Sequence, residues 1–417
     1  MNVALLSIIA FAIAIVLSCV TPVNVGLVSI AFAFLVGVVF GGMKVGDVAS
    51  GFPSSLFLVL VGVTLLFSQA KVNGTLDQIA KRSVRLARGN PGMIPLVFFF
   101  LAMVIASIGP GNIAATAMLA PIAMSVAGEA GIGAFLMTVM VATGANSGAL
   151  SPLAPTGIIA NGLLARIGLT GVEWPTFFNN FVAQAFVGIG GYFLLGGTKL
   201  LRRGGTAAAD VEVAVLGWRQ KLTLGLIAAW ISSVFFFKVD VGMGAFIAAA
   251  VLTLSRAADE EEAVKAIPWS TIIMVGGVTV LISILEKTGG MDLFTGLLTR
   301  FSTPDTITGV IAFVTGVISV YSSSSGVVLP AFLPTIPGII ENLGGGDPLA
   351  VAASINVGSH LVDVSPLSTL GALCIAAAPL HENRTRLFNK LLLWGLSMSV
   401  VGAGVCYLFF GVLGLAS

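Results

Sequence analysis

Long apolar runs separated by short polar segments dominate the pattern of residues along this chain. An α-helix crosses the hydrocarbon core of a bilayer in roughly 20 residues. Ten apolar runs are of about that length: 2–20, 23–42, 53–70, 133–164, 175–199, 216–237, 239–255, 268–285, 349–378 and 387–415. The pattern predicts an all-α polytopic membrane protein with ten transmembrane crossings.

Two further apolar stretches, residues 91–128 and about 306–343, are too long for one crossing and marginal for two. Each is interrupted near its middle by residues that break helices. The interruptions are Gly109-Pro110-Gly111-Asn112 and Tyr321-Ser322-Ser323-Ser324-Ser325-Gly326. We therefore predict two re-entrant hairpins that enter the membrane and return to the same side.

The chain aligns with itself when it is shifted by about 215 residues. Collinear matches pair Asn24-Val25-Gly26 with Asp240-Val241-Gly242, Gly62-Val63-Thr64 with Gly277-Val278-Thr279, and Ser151-Pro152-Leu153 with Ser365-Pro366-Leu367. This predicts two repeats, 1–205 (hairpin 91–128, broken helix 133–164) and 206–417 (hairpin 306–343, broken helix 349–378). Because five crossings per repeat is an odd number, the second repeat is expected to be inverted, as in alternating-access transporters. Duplication within a membrane scaffold or channel is the alternative.

Composition supports a membrane location, since 57% of residues are hydrophobic and only 9% are charged, whereas soluble domains have about 25% charged residues. The net charge of +2 gives no reason to expect a nucleic-acid partner. The first segment lacks a basic start and is interpreted as a crossing rather than a cleaved signal peptide. Three basic segments, 71–88, 199–221 and 384–390, fall on one face in this topology, which predicts both termini on the extracytoplasmic side.

The first hairpin turn has the composition of an anion receptor. Pro110 lacks an N–H group, and the glycines permit unusual backbone dihedrals. A helix restarting at Asn112 would present free N–H groups and the positive end of its dipole to a carboxylate. A tight turn capped by Asn112, without a ligand, is the alternative interpretation.

The fourth crossing is interrupted between Thr143 and Gly157 by two prolines and three glycines. Unpaired backbone groups persist inside a membrane only where protein, water or a ligand completes them. Freed carbonyl oxygens, together with the side chains of Asn146, Ser147, Ser151 and Thr156, suit a cation such as sodium. The alternative is a kinked packing helix whose hydroxyl groups bond to carbonyls of its own backbone.

The second half has its own pair of breaks. The hydroxyl groups of 321–325 are costly in an apolar context unless they have partners, and a flexible external loop is the alternative. Asp363 is the one acidic residue well inside a predicted crossing, and such residues are functional candidates. His360 shares its helix face. Either residue can carry a proton, Asp363 can bind sodium, and both also have purely structural interpretations.

These four breaks resemble those of the ion transporter superfamily, which includes the divalent anion/sodium symporters. The hairpin tips of that group carry Ser-Asn-Thr, with Pro nine residues after the Asn. Asn112 and Pro121 keep this spacing, and Pro334 likewise points back to Ser325 in the place of the Asn. The segments GPGNIAATAMLAP and GANSGALSPLAPTG are most similar to the MatC malonate/dicarboxylate carrier family.

The resemblance implies an elevator mechanism, with a scaffold domain, a moving transport domain and a homodimeric assembly. It implies one sodium site per half, with the substrate between the two. Ser107 matches a family ion-site position, whereas its counterpart is Val320. The expected substrate-binding residues are Asn112, Ile113, Ser151, Pro152, Ser324, Ser325, Gly326, Ser365 and Pro366. The expected sodium-binding residues are Ser107, Gly111, Asn112, Ala145, Asn146, Ser147, Gly148, Ser322, Ser323, Ser325, His360 and Asp363.

The sequence therefore predicts a secondary transporter of the cell inner membrane that imports a small C3–C4 dicarboxylate, such as malonate or succinate, by sodium symport. No cofactor other than sodium and no transition metal is expected. No enzyme motif is present in the sequence. Two alternatives stay open: a proton-coupled carrier that uses Asp363 and His360, and the membrane subunit of a binding-protein-dependent carboxylate transporter.

Overall fold

The computed structural model describes residues 2–84, 90–202, 215–379 and 382–416, and these ranges contain helices and no β-strand. The first-half helices are α1 (Val3–Val20), α2 (Val25–Phe34), α3 (Val45–Ala49), α4 (Ser54–Val72), α5 (Thr75–Val84), α6 (Met93–Ser107), α7 (Gly111–Ala130), α8 (Ala134–Gly148), α9 (Pro155–Arg166), α10 (Glu173–Leu194) and α11 (Gly197–Arg202).

The second-half helices are α12 (Trp218–Phe237), α13 (Val241–Leu254), α14 (Glu260–Lys265), α15 (Trp269–Lys287), α16 (Gly290–Thr299), α17 (Ile307–Tyr321), α18 (Leu329–Phe332), α19 (Ile336–Leu343), α20 (Pro348–Leu361), α21 (Thr369–Ala376) and α22 (Arg384–Cys406). Short π-helical or 3₁₀ turns cover Leu35–Phe40, Ser324–Val328, Leu333–Thr335, Val362–Val364 and Tyr407–Val412.

Eight helical segments of the described chain are long and apolar enough to cross a membrane. They are Val3–Val20, Ser54–Val72, Gly111–Ala130, Trp218–Phe237, Trp269–Lys287, Ser324–Leu343, Pro348–Ala376 and Arg384–Val412. Four shorter apolar helices accompany them: Val25–Phe40, Met93–Ser107, Val241–Leu254 and Ile307–Tyr321. The prediction of an all-α, multi-pass membrane protein is confirmed.

The helices break where the sequence indicates. Residues 108–110 separate α6 from α7, and Ser322 and Ser323 separate α17 from the π-helical turn at Ser324–Val328. The run 133–164 divides into α8 and α9, which are separated by residues 149–154. In the run 349–378, α20 gives way to a 3₁₀ turn and then to α21.

The two halves contact each other closely through α2 with α15 and through α4 with α13. A Cβ atom on Gly277 would lie 2.7 Å from the Cα atom of Gly26, and a Cβ atom on Gly62 would lie 2.8 Å from the carbonyl oxygen of Gly242. Only glycine permits backbones to approach this closely. The sequence alignment pairs Gly26 with Gly242 and Gly62 with Gly277, so paired positions make reciprocal contacts.

Gly144 and Gly358, which also align when the chain is shifted against itself, make equivalent close contacts. A Cβ atom on Gly144 would lie 2.3 Å from the Phe99 oxygen, which packs α8 against α6. The equivalent distance from Gly358 to the Ala312 oxygen is 2.5 Å, which packs α20 against α17. Each broken helix therefore lies against the first arm of the hairpin in its own half, and its break is held near the hairpin tip.

Short amphipathic helices that the sequence analysis did not predict follow α4 and α15. Gly74 has φ of 75° and Gly289 has φ of 76°, a conformation that favours glycine. Each glycine directly precedes a short helix, α5 or α16, with Asp77 or Asp292 in its first turn. An acidic side chain is favourable there because of the helix dipole.

Candidate functional site

A cavity of about 380 Å³ lies where the two hairpin tips meet, and we call it the central cavity. Asn112 and Ile113 line it from the first tip, and Ser322 to Ser325 line it from the second tip. His360 and Asp363 line it from the second broken helix. The structure therefore brings predicted residues from both halves, more than 200 positions apart in sequence, to one site.

The first tip is shaped by glycine. Gly109 has φ of 135° and Gly111 has φ of 78°. A Cβ atom on Gly109 would lie 1.9 Å from the ring of Phe67, so both conformation and space require glycine there. Helix α7 begins at Gly111 without a side-chain cap. The Oδ1 atom of Asn112 accepts a hydrogen bond of 3.0 Å from the N–H group of Ile113.

Asn146 connects the first tip to the second broken helix. Asn112 Nδ2 donates to Asn146 Oδ1 at 2.7 Å, and Asn146 Nδ2 donates to the carbonyl oxygen of His360 at 2.8 Å. Asn180 of α10 donates to the backbone oxygen of Asn146, also at 2.8 Å. Asn146 is fully buried. A movement of Asn146 would therefore change hydrogen bonds at both the first tip and the second broken helix.

The second tip is shaped by hydroxyl groups. Ser323 Oγ accepts a hydrogen bond of 3.0 Å from Gly326 N–H and caps the π-helical turn. Ser324 Oγ lies 2.7 Å from Asp363 Oδ1, 2.7 Å from Ser319 Oγ and 3.1 Å from the carbonyl oxygen of Ser359. This oxygen cluster joins the tip to the second broken helix.

Asp363 is the ionisable member of that cluster. It lies in the 3₁₀ turn Val362–Val364 and is 5% exposed. Ser324 donates to its Oδ1 atom, and Ser368 does so more weakly at 3.4 Å. Within the described part of the chain, Asp363 has no ion-pair partner. Burying an ionised carboxylate without a cation costs several kcal/mol, so a bound cation or proton would stabilise this arrangement.

His360 is buried and lies three residues before Asp363 in the sequence. The helix backbone holds its ring. Its Nδ1 atom lies 2.7 Å from the Asn356 oxygen and 3.1 Å from Ser359 Oγ. Its Nε2 atom is buried and has no hydrogen-bond partner among the described residues. One nitrogen is therefore structural, and the other is free for a ligand or a proton.

The predicted sodium-binding residues of the first hairpin and the first broken helix, other than Asn112, do not line the central cavity. Ser107 and Ser147 donate back to carbonyl oxygens of their own helices, at 2.7 Å to Met103 and 2.9 Å to Thr143. A Cβ atom on Gly148 would lie 2.7 Å from Ser107 Oγ, so these segments pack tightly. Gly111 and Ala145 likewise do not line the central cavity.

Four of the predicted substrate residues do not line the central cavity. Ser151 accepts from Leu153 N–H and Ser365 accepts from Leu367 N–H, both at 3.3 Å, so each closes its own turn. Pro152 lines a separate cavity, and Pro366 is buried. Gly326 is also absent from the lining of the central cavity.

Several lining residues were not predicted from the sequence. They are Ser18, Thr21, Tyr321, Ser368 and Thr369. Ser18 and Ser322 approach to 2.9 Å, which joins the end of α1 to the second tip. The available signal was a hydroxyl residue at the end of an apolar run. That signal is weak, because hydroxyl residues are common at helix ends.

A smaller cavity of about 200 Å³ adjoins the first tip. Asn112, Ile113 and Ser325 line both this cavity and the central cavity, so the two tips separate them. Lys71, at the end of α4, lines the smaller cavity. A negatively charged ligand therefore has a cation within the same cavity as the first tip.

Comparison with protein families assigns the N-terminal part of the chain. Residues 1–149 match the family model described as dicarboxylate carrier protein MatC N-terminus. The predicted resemblance to MatC is confirmed over that range, which includes α1 to α8 and the first hairpin. No curated protein matches the sequence.

Two solved transporter structures share the fold over nearly the whole chain. The YdaH transporter of Alcanivorax borkumensis superposes with a TM-score of 0.60 at 16% identity, covering 99% of this chain and 98% of that chain. MtrF of Neisseria gonorrhoeae, described as illuminating a class of antimetabolite efflux pumps, gives a TM-score of 0.58 at 14% identity, covering 100% and 96%. The MatC match and this fold together support a membrane transporter.

Proposed function

We propose that this protein is a secondary transporter that carries a small C3–C4 dicarboxylate across the membrane together with sodium. The observation that supports this most directly is the meeting of two chain breaks, one from each half, at one cavity. The uncapped start of α7 at Gly111 offers backbone N–H groups and a positive dipole end to a carboxylate. Asn112, beside it, offers an amide. The MatC match makes a dicarboxylate the first class of substrate to test.

Sodium binds, in this proposal, at the oxygen cluster of the second tip. The hydroxyl group of Ser324 lies within hydrogen-bond distance of both Asp363 Oδ1 and the carbonyl oxygen of Ser359. Carboxylate, hydroxyl and unwound carbonyl oxygens are the ligands that coupling sodium ions use in transporters. A bound cation offsets the charge of Asp363 and part of the charge of a dianion, which a low-dielectric site otherwise disfavours.

The proposed architecture is a pair of inverted repeats, 1–205 and 206–417, in a homodimer that works by an elevator mechanism. The reciprocal glycine contacts between α2 and α15 and between α4 and α13 support a two-fold relation between the halves. In this proposal these four helices belong to the scaffold. The hairpins and broken helices form the moving part. Both termini face the extracytoplasmic side of the inner membrane.

The test is uptake by the purified full-length chain in proteoliposomes. With an inward sodium gradient, we expect concentrative accumulation of labelled malonate or succinate, and we expect it to disappear when choline replaces sodium. Efflux is measured in parallel, because MtrF is described in connection with efflux pumps. Absence of transport and of any thermal stabilisation across a panel of small dicarboxylates, with folded protein, would overturn the proposal.

Proton coupling is the second candidate. A buried carboxyl group that receives a hydroxyl hydrogen bond and has no ion pair is also a suitable proton carrier. His360, three residues away in the sequence, has an Nε2 atom that no described residue contacts by a hydrogen bond. Uptake driven by a pH gradient in sodium-free buffer would favour it. Substrate binding without transport by the purified chain alone would instead indicate the membrane subunit of a binding-protein-dependent system.

A further inference from the structure

A groove of about 890 Å³ opens between α8, the α10–α11 corner and α22, separate from the central cavity. We call it the lysine groove and define it by Phe135, Leu136, Lys199, Lys390 and Trp394, which are among its lining residues. Its walls are mainly apolar, and none of the described residues that line it is acidic.

Two lysine ammonium groups border this apolar surface. The Lys390 Nζ atom lies 5.7 Å from the ring centroid of Phe135, so the ammonium is held over the groove wall by a cation–π contact. Lys199 is exposed at the opposite wall. Neither lysine forms an ion pair with a residue of the described ranges.

The side chains that form the wall between the lysines pack closely. A Cβ atom on Gly191 would lie 2.8 Å from the Trp394 ring, so α10 supports that ring closely. The Trp394 and Phe135 rings meet edge to face at 6.0 Å between centroids. A preformed apolar groove of this size accommodates a ligand much larger than a dicarboxylate.

The position of the groove identifies the kind of ligand. The end of α10, the start of α8 and the start of α22 lie together there, and both lysines belong to the basic segments that the sequence assigns to the cytoplasmic face. Acidic lipids of the cytoplasmic leaflet are attracted to basic pockets between transmembrane helices. We propose that the lysine groove binds an acidic glycerophospholipid, with its phosphodiester between Lys199 and Lys390 and an acyl chain against Trp394.

Native mass spectrometry of the purified full-length protein tests this, with phosphatidylglycerol and phosphatidylcholine of identical acyl chains. In the double variant Lys199→Gln/Lys390→Gln, we expect phosphatidylglycerol affinity to fall about tenfold or more, with phosphatidylcholine binding unchanged. The matched control is Arg219→Gln/Lys221→Gln, which removes two exposed charges from α12 outside the groove and should retain binding.

Several results would overturn the proposal. One is equal phosphatidylglycerol affinity in the Lys199→Gln/Lys390→Gln variant and in the wild type. Another is equal loss of affinity in the control variant, and a third is no preference over phosphatidylcholine in the wild type. Competition by soluble glycerol phosphate as strong as by the lipid would indicate a soluble-anion site instead. If the double glutamine variant does not fold, Lys199→Arg/Lys390→Arg should retain binding, and each single glutamine variant should weaken it about threefold.

Discussion

Glycine and an amide form the first hairpin tip, whereas hydroxyl groups and a carboxylate form the second. At the first tip, positive φ angles at Gly109 and Gly111 create the turn, and Asn112 binds Asn146. At the second tip, Ser322 and Ser323 turn in extended conformations with φ of −130° and −80°. The sequence repeat pairs the hairpins, yet the two turns use different backbone conformations and different ligand groups.

The difference indicates a division of labour at the central cavity. The first tip carries no formal charge and offers N–H groups, which suit a carboxylate. The second tip offers oxygen atoms around the buried Asp363, which suit a cation. We therefore expect substitutions at the first tip to affect mainly substrate and those at the second tip to affect mainly the coupling ion. The following predictions test that separation.

The largest effect is expected from Asp363→Asn. The amide keeps the volume and can still accept the hydrogen bond from Ser324, but it removes the negative charge. Losing one member of a buried charge pair costs about 3 kcal/mol or more, so sodium-coupled uptake should fall about 100-fold. Measured sodium dependence of uptake checks this.

Its control is Asp347→Asn. Asp347 is exposed and caps the start of α20, the helix that leads into the turn containing Asp363, by accepting from Leu349 N–H at 2.9 Å. Asparagine caps helices about as well as aspartate, so this variant should transport normally. Sodium dependence in Asp363→Asn like that of the wild type would remove the second tip from the proposed cation site.

Gly109→Ala should distort the first tip. A non-glycine residue with positive φ costs about 1–2 kcal/mol, and the added Cβ atom would collide with Phe67. Transport should fall about tenfold or more, and the thermal midpoint should drop, because overpacking costs about 1–3 kcal/mol. Uptake assays and thermal unfolding in detergent measure both effects.

Two glycine variants provide the comparison for that result. Gly326→Ala at the second tip meets the flexible end of Met274, so its effect should be smaller. Gly225→Ala in α12 meets nothing within 4 Å and should be neutral. Equal damage from Gly109→Ala and Gly225→Ala would contradict the role given to the first turn.

Asn112→Ala should weaken substrate binding about tenfold, because it removes a polar group from the cavity and leaves the side-chain Oδ1 atom of Asn146 without its donor. The half-saturating dicarboxylate concentration should rise, while that of sodium changes little.

The double variant Asn112→Ala/Asn146→Ala should show a coupling of about 1 kcal/mol, or fivefold, for the shared hydrogen bond. Asn342→Ala, at the far end of α19, is the control, and additive effects of the two substitutions would contradict the link.

The smallest effects separate two adjacent serines. Ser324 donates to Asp363, whereas Ser325 lines the cavities on both sides of the tip. Ser324→Ala should raise the half-saturating sodium concentration about fivefold, which corresponds to the net value of about 1 kcal/mol for one hydrogen bond, with little change for the dicarboxylate. Ser325→Ala should do the reverse, and identical profiles for the two variants would reject the division between ion and substrate.

The helical membrane fold and the positions of the breaks follow from local residue patterns. Helices end where proline and glycine remove or distort backbone hydrogen bonds, which is a local property. Thus α7 begins at Gly111, one residue before the predicted restart, and α9 begins at Pro155. Glycines that align in the repeat also proved to be the positions of closest approach between the halves.

Local residue patterns do not specify which polar groups face the central cavity; the packing of the helices does. Asn146 reaches the His360 backbone across 214 positions, whereas Ser151 and Ser365 turn inward to close their own loops. A break in a helix is specified by neighbouring residues. The direction of its side chains depends on helices distant in sequence that pack around it, and no local pattern records that packing.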